Sequence, residues 1–136
     1  MKARYLIPLV VVGLVGCELK WNGPFEFYYR NGQVRMKGSY SNGKRDGPWE
    51  SYYGDGQLST KRSYSNGRME GPGESYHHNG QLALKSTYSN GKRDGPWESY
   101  YENGQLRWKA TYSNGEQCGE WYGDGETVTY PPCPNG

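Results

Sequence analysis

The chain has 136 residues, a formal charge of +2 at pH 7, 21 Gly, 14 Tyr and 5 Trp. Beyond residue 16 it holds only seven Leu, Val or Ile against 20 aromatic residues, and its 14 Lys and Arg equal its 14 Asp and Glu. These figures exclude a helical bundle with an aliphatic core, a disordered chain, which is poor in aromatics and usually charged, and a strong nucleic-acid binder, which needs an unbalanced basic surface.

Residues 1–4 are basic, and residues 5–15 are almost wholly apolar. The apolar run is too short to cross about 30 Å of hydrocarbon as a helix, and it fits a secretory signal. Leu14-Val15-Gly16-Cys17 resembles a bacterial lipobox, with Val15 where Ala or Ser is commoner. That resemblance implies cleavage after Gly16, a diacylglycerol thioether on Cys17 and acylation of the new amino group. Two or more acyl chains anchor stably where one is marginal. A membrane partner, a place in the cell envelope and, from Glu18, the outer membrane of a two-membrane host follow as expectations. The alternative is an ordinary signal peptide with an incidental cysteine, or an uncleaved anchor. On this division residues 1–16 are a signal helix, 17–22 a lipidated tether, 23–130 the folded domain and 131–136 a tail.

Gly23-Pro24-Phe25-Glu26 recurs as Gly47-Pro48-Trp49-Glu50, Gly71-Pro72-Gly73-Glu74 and Gly95-Pro96-Trp97-Glu98, and fades into Gly119-Glu120-Trp121. A period of 24 without slippage is the mark of a repeat architecture. Each unit has two turn signals: Asn31-Gly32, Asp55-Gly56, Asn79-Gly80 and Asn103-Gly104, then Asn42-Gly43, Asn66-Gly67, Asn90-Gly91 and Asn114-Gly115, with Asp124-Gly125 as a ninth. Such dipeptides supply the positive φ values of type I′ hairpin turns. The prediction is an all-β, elongated antiparallel meander of ten short strands.

Alternation puts Trp49, Ser51 and Tyr53 on one face with Glu50 and Tyr52 on the other, and sets Leu106, Trp108, Ala110 and Tyr112 against Arg107, Lys109 and Thr111. Stacked units should align Tyr40, Tyr64, Tyr88 and Tyr112 in one ladder and Val34, Leu58, Leu82 and Leu106 in another. A single unit cannot bury its own face, so stability must come from neighbours.

The third unit departs most. Gly73 replaces Trp or Phe, His77 replaces Tyr29, Tyr53 and Tyr101, and His78 stands where Arg30, Gly54 and Glu102 stand elsewhere. This reads either as a docking notch with pH-sensitive contacts or as repeat drift. Adjacent histidines on a strand point to opposite faces, so no metal site is expected. Lys44-Arg45-Asp46, Arg68-Met69-Glu70 and Lys92-Arg93-Asp94 should line one edge, as solvated turns rather than as a strip for lipid headgroups or an acidic partner. Gly71-Pro72-Gly73 lacks the following helix and the Lys-Ser/Thr ending of a phosphate loop. With lipid on Cys17, Cys118 and Cys133 form an even pair that favours a disulfide outside the cytoplasm. Closing such a loop stabilises by about 3 kcal/mol in the chain-entropy model.

The unit Gly-Pro-Trp-Glu-Ser-Tyr-Tyr-Glu-Asn-Gly-Gln-Leu (95–106) with Lys-Ala-Thr-Tyr-Ser-Asn-Gly (109–115) closely resembles the bacterial variant of the MORN repeat, found in proteins of the YwqK antitoxin type. The resemblance covers about residues 23–130. It implies an elongated twisted sheet used as an adaptor or scaffold, and a lipobox would suit an envelope immunity protein against a toxin. Neither a Cys–His nor a Ser–His–Asp spacing is present, so catalysis is not expected. No cofactor or small-molecule substrate is expected either. The candidate partner-binding residues are Trp49, Tyr53, Gly73, His77, Trp97, Tyr101 and Trp108, because aromatics dominate interface energetics. The alternative function is a cell-wall glycan binder that stacks sugars on exposed rings.

The lipid expectation is open to direct test. The mature product should begin at Cys17 and incorporate a palmitate analogue, and Cys17→Ala should abolish labelling and detergent partitioning. An unlabelled product with a free thiol at residue 17 would refute it.

Overall fold

The structure, a computed structural model, describes residues 20–134. The signal segment and Cys17 lie outside the described residues. The described chain forms one antiparallel sheet without a helix. Its strands are β1 (Gly23–Tyr28), β2 (Val34–Ser41), β3 (Lys44–Arg45), β4 (Gly47–Tyr52), β5 (Leu58–Ser65), β6 (Arg68–Tyr76), β7 (Leu82–Ser89), β8 (Lys92–Arg93), β9 (Gly95–Tyr100), β10 (Leu106–Ser113), β11 (Glu116–Gly123) and β12 (Glu126–Thr129). The main path runs in chain order through ten of these, as the turn signals predict, while β3 pairs with β2 and β8 with β7. The two short pieces are the leading ends of β4 and β9, cut off where the chain bends.

The bend has a cause in the Gly-Pro pair. Between the pairs Tyr40↔Arg45 and Met36↔Ser51, six residue steps on one strand face four on the other. The surplus is accommodated by Gly47 at φ +81, a conformation glycine enters freely. Pro48 follows, where its missing N–H disrupts the ladder least. Gly71 and Gly95 repeat the device at φ +77 and +96, although β6 passes through Gly71 unbroken.

The nine turns are of two kinds, which corrects the expectation of type I′ throughout. Asn42, Asn66, Asn90, Asn114 and Asp124 have φ of 50 to 52 and are each followed by a positive-φ Gly, as type I′ requires. At Asn31, Asp55, Asn79 and Asn103 only the following Gly is left-handed. There the loop is one residue longer: Tyr29 N–H reaches Gln33 O at 2.8 Å and Gly32 N–H donates to Tyr29 O at 3.0 Å. Asn31 Oδ1 accepts from Gln33 N–H at 3.1 Å, an Asx turn that holds Asn31 in ordinary φ.

Successive units are fastened at their second turns. Gly67 N–H donates to Arg45 O at 2.8 Å, Gly91 N–H to Met69 O at 2.9 Å and Gly115 N–H to Arg93 O at 2.8 Å. Beside them the N–H groups of Asn66, Asn90 and Asn114 donate to the carboxylates of Asp46, Glu70 and Asp94 at 3.2, 2.7 and 3.2 Å. Trp21 O and Asn22 Oδ1 do the same for Gly43 and Asn42 at 2.8 and 2.6 Å. Residues 21 and 22, expected in a tether, are therefore part of the fold, because they supply the first rung of this stair.

Packing rests on indoles laid over small residues. A Cβ on Gly38 would run into the Trp49 ring. Trp49 is edge-on to Tyr40 and Tyr64, with centroids at 5.1 and 6.1 Å, and the Arg45 guanidinium covers it at 4.6 Å. Trp97 repeats this with Tyr88, Tyr112 and Arg93 at 5.3, 5.6 and 4.6 Å. Each aromatic pair adds about 0.5–1.5 kcal/mol beyond its burial. The expected tyrosine ladder is thus an alternation of Tyr and Trp, with Trp49 between Tyr40 and Tyr64 and Trp97 between Tyr88 and Tyr112, broken at Gly73 between Tyr64 and Tyr88. Val34, Leu58, Leu82 and Leu106 sit opposite Tyr28, Tyr52, Tyr76 and Tyr100 near the first turns.

The far end is closed. β12 keeps the register of a return strand, with Thr127 opposite Tyr122 and Val128 opposite Trp121. Lys109 and Ala110 hold the equivalent places opposite Glu98 and Trp97. Thr in place of Lys, and branched Val in place of a small residue, offer a following unit neither an ion partner nor room for an indole. A disulfide joins Cys118 to Cys133, and Gly119 N–H donates to Pro131 O at 2.9 Å, which binds the tail to β11.

Gly38→Ala should lose about 1–3 kcal/mol in urea unfolding, because the Trp49 ring must move. Gly54→Ala, which meets open space in ordinary φ, should be neutral or gain about 0.4–1 kcal/mol through the unfolded state. Equal changes in the two variants would count against indole-over-glycine packing.

Candidate protein-binding faces

The sheet has two unlike faces. One carries a row of alternating charge, with Glu26, Lys37, Glu50, Lys61, Glu74, Lys85, Glu98 and Lys109 each paired in register with the next. Along each outgoing strand a tyrosine two residues on donates its hydroxyl to the glutamate: Tyr28 to Glu26, Tyr52 to Glu50 at 2.5 Å, and Tyr76 to Glu74 and Tyr100 to Glu98 at 2.6 Å. Lys37 Nζ lies 2.9 Å from Glu50 Oε2. The Tyr52 hydroxyl, then Lys37, holds the Glu50 carboxyl below the usual carboxylate range. The bond to Glu74 pushes the Tyr76 phenol up to about 12. The Glu98 bond raises Tyr100 in the same direction.

The other face carries the rings, and here several expected contact residues change role. Trp49 and Trp97 are each 5% exposed, so they are the core of this thin sheet and not surface for a partner. Gly73 is buried as well. Neighbouring tyrosines and arginines close over the two indoles, and Ser86, Tyr88 and Arg62 crowd Gly73. Trp108 is half-buried, with its Cβ against Gly123.

Tyr53, His77 and Tyr101 belong to the first-turn edge. Tyr29 and Tyr53 hydroxyls donate to Tyr52 O and Tyr76 O of the next unit at 2.7 and 2.6 Å. His77 Nε2 lies 2.9 Å from Tyr100 O, so this nitrogen carries the proton and does the tyrosine's work with an imidazole. His78 stacks on Tyr53, with centroids 3.7 Å apart. Tyr101 is 43% exposed, and its hydroxyl is 3.4 Å from Asp124 Oδ1. The seven candidates therefore do not form one patch. The second-turn edge, expected as solvated turns, does structural work instead: its acids bind the next turn, and Arg45 and Arg93 lie on rings.

Sequence reasoning found the glutamate row but missed its lysines, although Lys37, Lys61, Lys85 and Lys109 keep the period of 24. It also passed over Arg62, which stands where Gly38, Ser86 and Ala110 stand in the other units. Among the described residues no three His, Cys, Asp or Glu side chains gather as metal ligands.

The family described as MORN repeat variant matches residues 21–42, 45–66, 69–90 and 93–114. No curated protein matches the chain.

The charged row should make stability depend on pH at both ends. Glu50, lowered in the fold, contributes stability above its unfolded value near 4.5 that is lost as pH falls further. Tyr76, raised in the fold, contributes fully below 10.0 and loses that contribution as pH climbs towards about 12. Glu50→Gln should flatten the acid limb of the urea midpoint and Tyr76→Phe the alkaline limb. Unchanged limbs would show that the row is inert.

Proposed function

The chain belongs to the MORN repeat variant family, whose matched units take in more than half its length, and from that premise we propose that it is a non-catalytic protein-binding or scaffold module held in the cell envelope by lipid on Cys17. The observation that supports this most is the one-layer sheet itself. Its units are fastened edge to edge, so most side chains lie on one of two open faces or along an edge. That is a rigid surface for a partner rather than a chamber for a substrate. Pre-ordering such a surface lowers the entropic cost of association.

The resemblance to YwqK-type repeats makes a toxin the first partner to test, with this protein as its immunity factor. A lipid at residue 17 would place the N-terminal edge nearest the bilayer, in the outer membrane of a host that has one. A wall-glycan reading rests on the rings that stay exposed, Trp21, Tyr101 and Tyr122. The two indoles it would most need are buried.

Cross-linking of the intact lipoprotein in its native membrane, with mass spectrometric readout, should yield one stoichiometric protein partner. Recovery of no protein above a lipid-anchored control, together with retention on peptidoglycan that soluble sugar competes away, would replace this reading with the glycan one.

A further inference from the structure

The third unit's departures are coupled. At other unit boundaries a ring on the outgoing strand meets a small residue on the preceding return strand, as Trp49 lies over Gly38 and Trp97 Nε1 donates to Thr87 O beside buried Ser86. Between β5 and β6 both partners are exchanged: the small residue is Arg62, the ring is Gly73, and the two are paired in register. A Cβ on Gly73 would lie 2.9 Å from Ser86 Oγ, 3.5 Å from the Tyr88 ring and 3.6 Å from Arg62 Cγ. The arginine stem has taken the ring's place. Independent drift at two sites would not have to choose cross-strand neighbours of complementary size.

The guanidinium is what the exchange leaves over. Arg62 is half-buried, yet among the described residues it makes no hydrogen bond, ion pair or ring contact. Arg45, Arg68 and Arg93 by contrast are each engaged with a ring or a turn. The register puts no carboxylate beside it. Its row holds Trp49, Gly73 and Ser86, and an adjacent row holds Ser51, Thr60, Ser75 and Leu84. The glutamates lie on the opposite face, and Asp46, Glu70 and Asp94 are at the turns. Among the described residues this cation thus has no counter-ion, and it stands on the ring-bearing face near the middle of the sheet.

We infer that the break in the ring row between Tyr64 and Tyr88, floored by Gly73 and holding the Arg62 guanidinium, is the anchor point for an acidic side chain of a protein partner. This rests on the protein-binding reading above and names the chemistry of the contact. A planar carboxylate accepts two parallel hydrogen bonds from the guanidinium fork. A single fork matches a monoanion. A phosphate dianion would call for a second free cation, and the guanidinium of nearby Arg45 is taken by Tyr64 Oη at 3.2 Å. Arginine is also one of the residues most enriched among interface hot spots.

The test is a titration of the full-length chain in detergent micelles, labelled with 15N-arginine, against the blocked tripeptide acetyl-Tyr-Glu-Tyr-amide, its Gln twin and inorganic phosphate. The Arg62 Nε–Hε resonance, identified by its loss in Arg62→Gln, should move saturably with the Glu peptide and at least tenfold more weakly with the Gln twin. Equal response to both peptides, or a response that leaves Arg62 unmoved, would overturn the site. A stronger response to phosphate would overturn it in favour of a phosphate ligand.

The double variant R62S/G73W restores the ring-over-small pairing of the other units. It should therefore keep the parent's circular dichroism and melting temperature while losing the peptide response. A partner cross-linked equally well by this variant and the parent would overturn the site and leave the wider reading standing. The titration needs no captured partner, so failure of the wider reading shows in the cross-linking and failure of the site in the titration.

Discussion

A sheet one layer thick has no second layer against which to bury its rings, so each unit must be closed by its neighbour. Two contacts do this at nearly every boundary. A turn N–H is received by a carbonyl or carboxylate of the preceding unit, and an indole lies over a residue too small to resist it. The first sets the spacing along the edge and the second fills the surface between. Stability of this kind is a sum over neighbours, as in other one-dimensional repeats. The two ends must therefore be treated differently from the middle. Trp21 and Asn22 begin the stair, and β12 with the Cys118–Cys133 bridge ends it.

Most of the distinctive side chains turn out to serve that neighbour-to-neighbour closure. The tyrosines of the first-turn edge reach the next unit's carbonyls, the acids after the second turns cap the next unit's asparagines, and the arginines beside them lie across the rings. A chain with almost no aliphatic core can fold in this way because each polar tip is satisfied while its apolar body packs. The alternating Glu and Lys row extends the same logic to the second face, where register places unlike charges side by side over eight strands.

Against that regularity, departures divide into two sorts. His77 changes the residue and keeps the bond, so it is a substitution the structure absorbs. Arg62 and Gly73 exchange the sizes of the two partners and change the chemistry, and they leave a half-buried charge that meets no counter-ion among the described residues. The exchange of sizes lets β6 run unbroken through this boundary, with the pairing shifted between Arg62 and Tyr64. It does not explain a guanidinium without a partner among the described residues. A function located there costs the fold little, because the missing indole is replaced by the arginine stem rather than by a void.

The fold was legible in the residues because its determinants are local. Asn-Gly pairs, a 24-residue period and strict alternation specify hairpins, their order and which residues share a face, without reference to any distant contact. The two kinds of turn lay one step further, since telling them apart depends on loop length and on an Asx bond from Asn31 to Gln33. The exposure of a ring was beyond reach. Trp49 and Tyr101 look alike in sequence as aromatic residues of an outgoing strand and its turn, yet one lies between Tyr40 of the preceding unit and Tyr64 of its own return strand and the other stands open. Burial in a stacked sheet is a property of the adjacent unit, so only the assembled structure could separate core rings from surface ones and bring Arg62 and Gly73 face to face.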